Sequence, residues 1–233
     1  MCSRVSRDDY QTKFSPDIPT TTPSVTSSGT VPLTVPPAPT TPPLPVTTVP
    51  AFTSFQLVGQ ANSSITDKFR MDKGFATFSF SHQSQRGNFI VTLLDSSGQR
   101  VEGLVNEIGL FAGTVPVIIP STGTYVLEVR AAGLWSVVVN EPRSAVGTPL
   151  PFTQTGTGPT IAGPFRHSGV VRVSSKHSGS SNFIVVPYTQ SERGYSIVNE
   201  IGVYDGTATQ QFNGVFWIVI DADGAWTLDL RPF

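Results

Sequence analysis

Residues 88–111 read NFIVTLLDSSGQRVEGLVNEIGLF, and residues 182–204 read NFIVVPYTQSERGYSIVNEIGVY. Both open on Asn-Phe-Ile-Val and close on Val-Asn-Glu-Ile-Gly, an apolar residue and an aromatic one. Working outward, Phe69-Arg70 matches Phe165-Arg166, and His82 matches His177. Gly113, Gly123, Gly133 and Trp135 match Gly206, Gly214, Gly224 and Trp226. The spacing between partners shrinks along the chain, and each loss falls in a segment of turn residues. Length change confined to turns is what duplicated strands joined by tolerant loops show.

Each copy has strand periodicity. In Gly123–Arg130, Tyr125, Leu127 and Val129 alternate with Glu128 and Arg130, the period of two of a half-buried strand. Asn88–Leu94 is apolar on both faces and reads as a central strand ending in the turn Asp95-Ser96-Ser97-Gly98. Ala132-Gly133-Leu134-Trp135 opens a last strand, its Trp expected to plug one end of the core. The modules show no helical periodicity. Six to eight short strands per copy predict an all-β fold of two tandem antiparallel β-sandwiches, jelly-roll-like, over residues 54–142 and 151–233.

Residues 1–53 are different in kind. From Ser15 to Thr53 more than half the residues are Pro or Thr, and Asp17 is the one charge. Such a stretch predicts a disordered or extended spacer, about forty residues at roughly 3 Å each, with the composition of an O-glycosylated stalk. Cys2 is the only cysteine of the 233 residues, so an intrachain disulfide is excluded. Cys2 reads either as the lipid-bearing cysteine of a lipoprotein or as an incidental residue. The start Met1-Cys2-Ser3-Arg4 has no apolar stretch behind it, so a signal peptide is not visible. A virion protein made without one is therefore the alternative to a secreted chain.

Charged residues make up 13% of the chain and the net charge is −1. That lacks the basic stripe a nucleic-acid partner requires. With no run of about 18 apolar residues, membrane association is expected only through a lipid on Cys2.

The strand with its Asp/Ser/Gly turn, followed by Gly123-Thr124-Tyr125 and the Gly133…Trp135 strand, resembles the pre-peptidase C-terminal domains, small sandwich modules of secreted bacterial proteins. The resemblance implies a sandwich fold and an extracellular location. Asn88 and Asn182 stand where that family carries acidic residues, so it implies nothing about a ligand.

Few residues point to chemistry. The chain has three histidines, no G-x-S-x-G elbow, no C-x-x-C, no H-E-x-x-H and no phosphate loop. No enzymatic activity, cofactor or metal is expected. Asp221-Ala222-Asp223-Gly224 lacks the later ligands of a calcium loop and reads as an acidic turn. The repeated polar set is Arg70, His82, Asn88 and Glu107, then Arg166, His177, Asn182 and Glu200. Its expected role is a semi-buried network tying loops to the sandwich end, the alternative being one sugar or cation site per module. Phe111 and Tyr204, in matched positions, and the unmatched Trp217 are the candidate ligand-binding aromatics. Asn62-Ser63-Ser64 fits the N-glycosylation pattern. The function these residues suggest is non-catalytic: surface-displayed modules that bind a surface polysaccharide or a partner protein. Alternatives are a virion decoration or fibre protein docked on the virion shell, and an accessory module of a secreted enzyme.

Overall fold

The computed structural model describes residues 53–233. Cys2 and nearly all of the Pro/Thr-rich stretch lie outside the described residues, with the expectations attached to them. The first copy contains β1 (Thr53–Gly59), β2 (Asn62–Ile65), β3 (Phe69–Met71), β4 (Gly74–His82), β5 (Asn88–Asp95), β6 (Arg100–Ile108), β7 (Phe111–Ile119), β8 (Gly123–Ala131) and β9 (Trp135–Glu141). The second contains β10 (Thr148–Pro149), β11 (Phe152–Thr157), β12 (Thr160–His177), β13 (Asn182–Thr189), β14 (Val198–Ile201), β15 (Tyr204–Ala222) and β16 (Ala225–Pro232). The described residues contain no helix.

In the first module one sheet has the order β1-β9-β4-β7, and the facing sheet the order β2-β8-β5-β6, with β3 also on β8. The second module repeats this with fewer, longer strands. β11, β16, the last part of β12 and the first part of β15 form one sheet. The start of β12, the end of β15, β13 and β14 form the other. Thus β12 does the work of β2, β3 and β4, and β15 that of β7 and β8. The break between β7 and β8 holds Pro120, which has no amide to donate to a ladder. At the matching place β15 carries Asn213-Gly214, with Gly214 at φ +99°, and the strand bends without stopping. The ladder of β12 slips only at Gly163-Pro164.

Period two holds along the strands. Tyr125, Leu127 and Val129 are buried, as are Phe89 and Val91 on the paired β5 and Phe78 and Phe80 on the facing sheet. The second core repeats the pattern with Phe183, Val185, Phe216, Ile218 and Ile220. Asp95 ends β5 by accepting from the amides of Ser97 and Gln99, both at 2.9 Å. Those bonds, the Ser97 hydroxyl foremost, hold its carboxyl below the usual range.

A third apolar cluster joins the modules. Phe75 and Ile118, paired across β4 and β7, point away from the first core. They meet Val186, Tyr188, Trp217 and Val219 on the outward face of the second module. Phe75 is stacked on Trp217 at 4.5 Å and lies 5.5 Å from Tyr188. The Phe75 amide donates to the Gln190 carbonyl at 2.9 Å. Arg143, after β9, donates to the carbonyls of Asp72 and Phe75 and pairs with Glu141 at 2.9 Å. Burial pushes the Glu141 carboxyl up, against the Asp72 amide and Arg143, which draw it down. The segment between the sandwiches is therefore pinned at its start rather than a free linker.

Candidate functional site

The feature that the two copies share most closely is one end of each sandwich. His82 ends β4 beside Trp135, which opens β9, and His177 ends β12 beside Trp226 of β16. Both histidines are 2% exposed. Each ring lies flat on the first core phenylalanine of the neighbouring sheet: His82 on Phe89 at 4.5 Å and His177 on Phe183 at 4.7 Å. Nδ1 of His82 donates to the Gly109 carbonyl at 2.6 Å, and that of His177 to Gly202 at 2.8 Å. These glycines adopt φ near +90°, a conformation that disfavours other residues. The repeated Glu-Ile-Gly thus ends in a glycine that the histidine requires.

The two tryptophans are matched in setting. Trp135 faces Gly59 and Trp226 faces Gly156 across β1–β9 and β11–β16. A β-carbon on either glycine would collide with the indole. Beside each indole is a cleft. The first, about 440 Å³, is lined by Val58, Gly59, Gln60, Gln83, Leu134, Trp135 and Ser136. The second, about 640 Å³, has Thr155, Gly156, Thr157, Ser178, Ala225, Trp226 and Thr227 in the matching places, and adds Lys176 and Asp205, an exposed pair at 2.8 Å.

The copies differ around Asp223. Its Oδ2 accepts from the amides of Ser180 at 3.0 Å and Ser181 at 2.9 Å, which holds the carboxyl low. Its Oδ1 stands 3.1 Å from His177 Nε2, at ion-pair distance but without hydrogen-bond alignment. Asp221-Ala222-Asp223-Gly224 therefore ties a loop to the sandwich. The first copy has Ala132 in the place of Asp223.

The expected polar network does not form. Asn88, Asn182, Glu107 and Glu200 are exposed, and among the described residues their side chains have no hydrogen-bond or ion-pair partner. Arg70 reaches Asp72 at 3.5 Å, and Arg166 donates to the Ala145 carbonyl. Only the two histidines of the set are buried. The reason is position: β6 and β14 are edge strands, and their last three residues extend past the core into water. The aromatics also differ from expectation. Phe111 and Tyr204 are half-buried and pack toward the core, 6.0 Å from Phe89 and 5.7 Å from Phe183, and Tyr204 also lines the cleft beside Trp226. Trp217 is 3% exposed, because the first module covers it.

Sequence reasoning passed over Gly59, Gly156, Gln83, Leu134 and Phe75. The pairing of Gly with Trp carries no local signal. Phe75 does: two neighbouring apolar residues, Phe75 and Ala76, break the alternation of β4. Exposed apolar side chains also stand at matched positions, Ile108 (78%) with Ile201 (77%) and Leu110 (62%) with Val203 (81%).

No protein-family model matches the chain, and no curated protein matches it. Among solved structures it is similar to the major capsid protein P2 from Bacteriophage PM2, at 11% identity over 76% of this chain and 96% of that one, TM-score 0.24. It is also similar to the PBSX exported protein XepA, at 8% identity over 75% and 86%, TM-score 0.23. A third is the Cupin 2 conserved barrel domain protein from Leptotrichia buccalis, at 12% identity over 77% and 87%, TM-score 0.23.

Proposed function

We propose that this chain is a non-catalytic, surface-displayed binding protein that holds two copies of one contact surface at a fixed separation, and that its target is a surface polysaccharide or a partner protein. The observation that supports this reading is the repeated exposed end. Val105 and Val198 are explained by the core, and Gly109 and Gly202 by the histidines. Asn106-Glu107-Ile108 and Asn199-Glu200-Ile201 are identical, exposed and required by no packing. Each is followed at two residues by an exposed aliphatic side chain. A spacer has no use for apolar groups in water at the same place twice, whereas a contact surface does. The non-catalytic reading draws on the buried histidines: the His82 and His177 imidazoles are each engaged with a glycine carbonyl and a phenyl face.

The test is retention of the whole chain on immobilised cell-wall polysaccharide, on glycans and on virion preparations. Because two sites on one body gain avidity, Ile108→Ser and Ile201→Ser should each weaken retention, and together abolish it. Retention unchanged in the double variant sinks the reading. Retention on virion preparations alone favours a structural virion component, and retention on nothing removes the binding role.

A further inference from the structure

The outer face of the second module's β11-β16-β12-β15 sheet holds a dish at its His177 and Trp226 end. Register sets the side chains around it in rows across the strands. Thr155, Thr227, Lys176 and Asp205 form one row. Thr157 and Ala225 are paired in the next, which Ser178 continues, its amide donating to the Ala225 carbonyl at 2.9 Å. Val203, 81% exposed, stands at the far rim. Ala225 is the smallest of these residues and the others surround it, so the cleft of about 640 Å³ opens over it. A cleft of this size with an apolar floor and a few convergent polar groups has the form of a small-molecule site.

The first module has the same frame and a different filling. Val58, Ser136, Ser81 and Ala112 occupy its first row. Leu134, 54% exposed, stands in the place of Ala225, and its carbonyl accepts from the Gln83 amide at 2.9 Å as that of Ala225 does from Ser178. Leucine fills the centre of the dish that alanine leaves open. Serine and alanine stand where the second module has Lys176 and Asp205. One fold accepts either set, so packing does not dictate Ala225, Lys176 or Asp205.

Lys176 Nζ donates to Asp205 Oδ2 at 2.8 Å, and both side chains are exposed. Among the described residues the pair leaves two ammonium N–H groups and the carboxylate Oδ1 uncommitted, side by side. An ammonium only donates and a carboxylate only accepts, whereas a hydroxyl does both. We propose that this dish binds one neutral saccharide unit, with two adjacent hydroxyls spanning Lys176 and Asp205 and the C–H face of the ring resting on Ala225 and Val203. An anionic unit would meet Asp205, and a cationic one Lys176. The proposal rests on the reading that the target is a surface glycan, and it adds to the repeated contact surface a site that the first module lacks.

The experiment is an ¹H–¹⁵N titration of the full chain with neutral trisaccharides of glucose, galactose, mannose and N-acetylglucosamine, and with an uncharged tripeptide. At least one saccharide should shift the Lys176, Asp205, Ala225 and Thr227 amides and leave those of Ser81, Ala112, Leu134 and Ser136 in place. Ala225→Leu, which copies the first module, should abolish the shifts at an unchanged melting temperature. Lys176→Ser and Asp205→Ala, copied likewise, should each weaken binding by about tenfold or more, the effect of losing hydrogen bonds to a charged group. Amides moved by no saccharide, by the tripeptide alone, equally in both modules, or as strongly in Ala225→Leu overturn the proposal. The titration reads this site, while retention on immobilised glycans reads the whole chain. Glycan retention without trisaccharide shifts would remove this site and leave the broader binding reading intact. Absence of both in the unmodified chain would remove both.

Discussion

The outward face of β5 and β8 in the first module and that of β13 and β15 in the second are copies of one surface with opposite fates. Thr92, Leu94, Val126 and Glu128 in the first occupy the register positions of Val186, Tyr188, Trp217 and Val219 in the second. The first face is in water, where Glu128 pairs with Arg130 at 3.2 Å. The second is covered by Phe75 and Ile118. The covering face has diverged likewise: Phe75 and Ile118 correspond to Val170 and Gln211, both exposed in the second module. Duplication made two identical modules, but only one joint exists between two copies in a row. Aromatic residues accumulate at that joint, while the unused outer faces carry Thr92, Glu128 and Gln211 among smaller aliphatic side chains. A third copy stacked in the same way would meet Arg172, Lys176 and Asp205 on the second module, a charged surface that does not favour burial.

The largest test of this contrast is truncation at the joint. Trp217→Ala should destabilise the chain by about 3–5 kcal/mol, as expected for a large buried aromatic. Val126→Ala, the same position on the wet face, should cost about 1 kcal/mol or less. Chemical denaturation measures both. Equal effects would show that the modules do not depend on the joint.

Next in size is the glycine–tryptophan contact, which both modules share. Gly59→Ala and Gly156→Ala should each cost about 1–3 kcal/mol, because the indole has no room to retreat. A differential scan in which only one of them lowers the melting temperature would break the equivalence of the two ends.

Asp223 sharpens the difference between those ends. Its carboxyl is held low by the amides of Ser180 and Ser181. A lowered carboxyl contributes stability that is present above the ordinary value of 3.8 and is lost as pH falls through the folded-state value below it. The protection factors of the Ser180 and Ser181 amides, measured against the intrinsic exchange rate at each pH, should therefore fall below about pH 3.8, with no matching change at residues 83–87 of the first module. Asp223→Ala should remove that loss of protection. Protection factors that do not respond to pH would show that the loop is held by other contacts.

The smallest effect is expected at Glu107 and Glu200. Placed in a network, either would matter to folding. Exposed and unpaired, Glu107→Ala and Glu200→Ala should each change stability by about 0.5 kcal/mol or less. A larger loss in urea denaturation would restore the network.

The repeat, the all-β class and the inward residues of β5 and β8 were legible because they depend on local pattern. A strand alternates whatever lies beyond it, and Tyr125, Leu127 and Val129 alternate plainly. The candidate site was legible only in part. His82 and His177 could be paired by alignment. Burial of Glu107 and Glu200 was inferred from their apolar neighbours, but those neighbours, Ile108 and Ile201, are themselves in water.

By itself the sequence determined that there are two copies, that both are made of strands, and that length differences fall in turns. Period two and turn chemistry are properties of adjacent residues, so they need no knowledge of the rest of the chain. Tertiary structure decided which face of each sandwich is dry. Trp217 and Val126 stand at the same register position in the same kind of strand, and nothing local distinguishes a tryptophan that will be covered from one that will be exposed. That depends on Phe75, 142 positions earlier in the chain, and on which surface the neighbouring module covers.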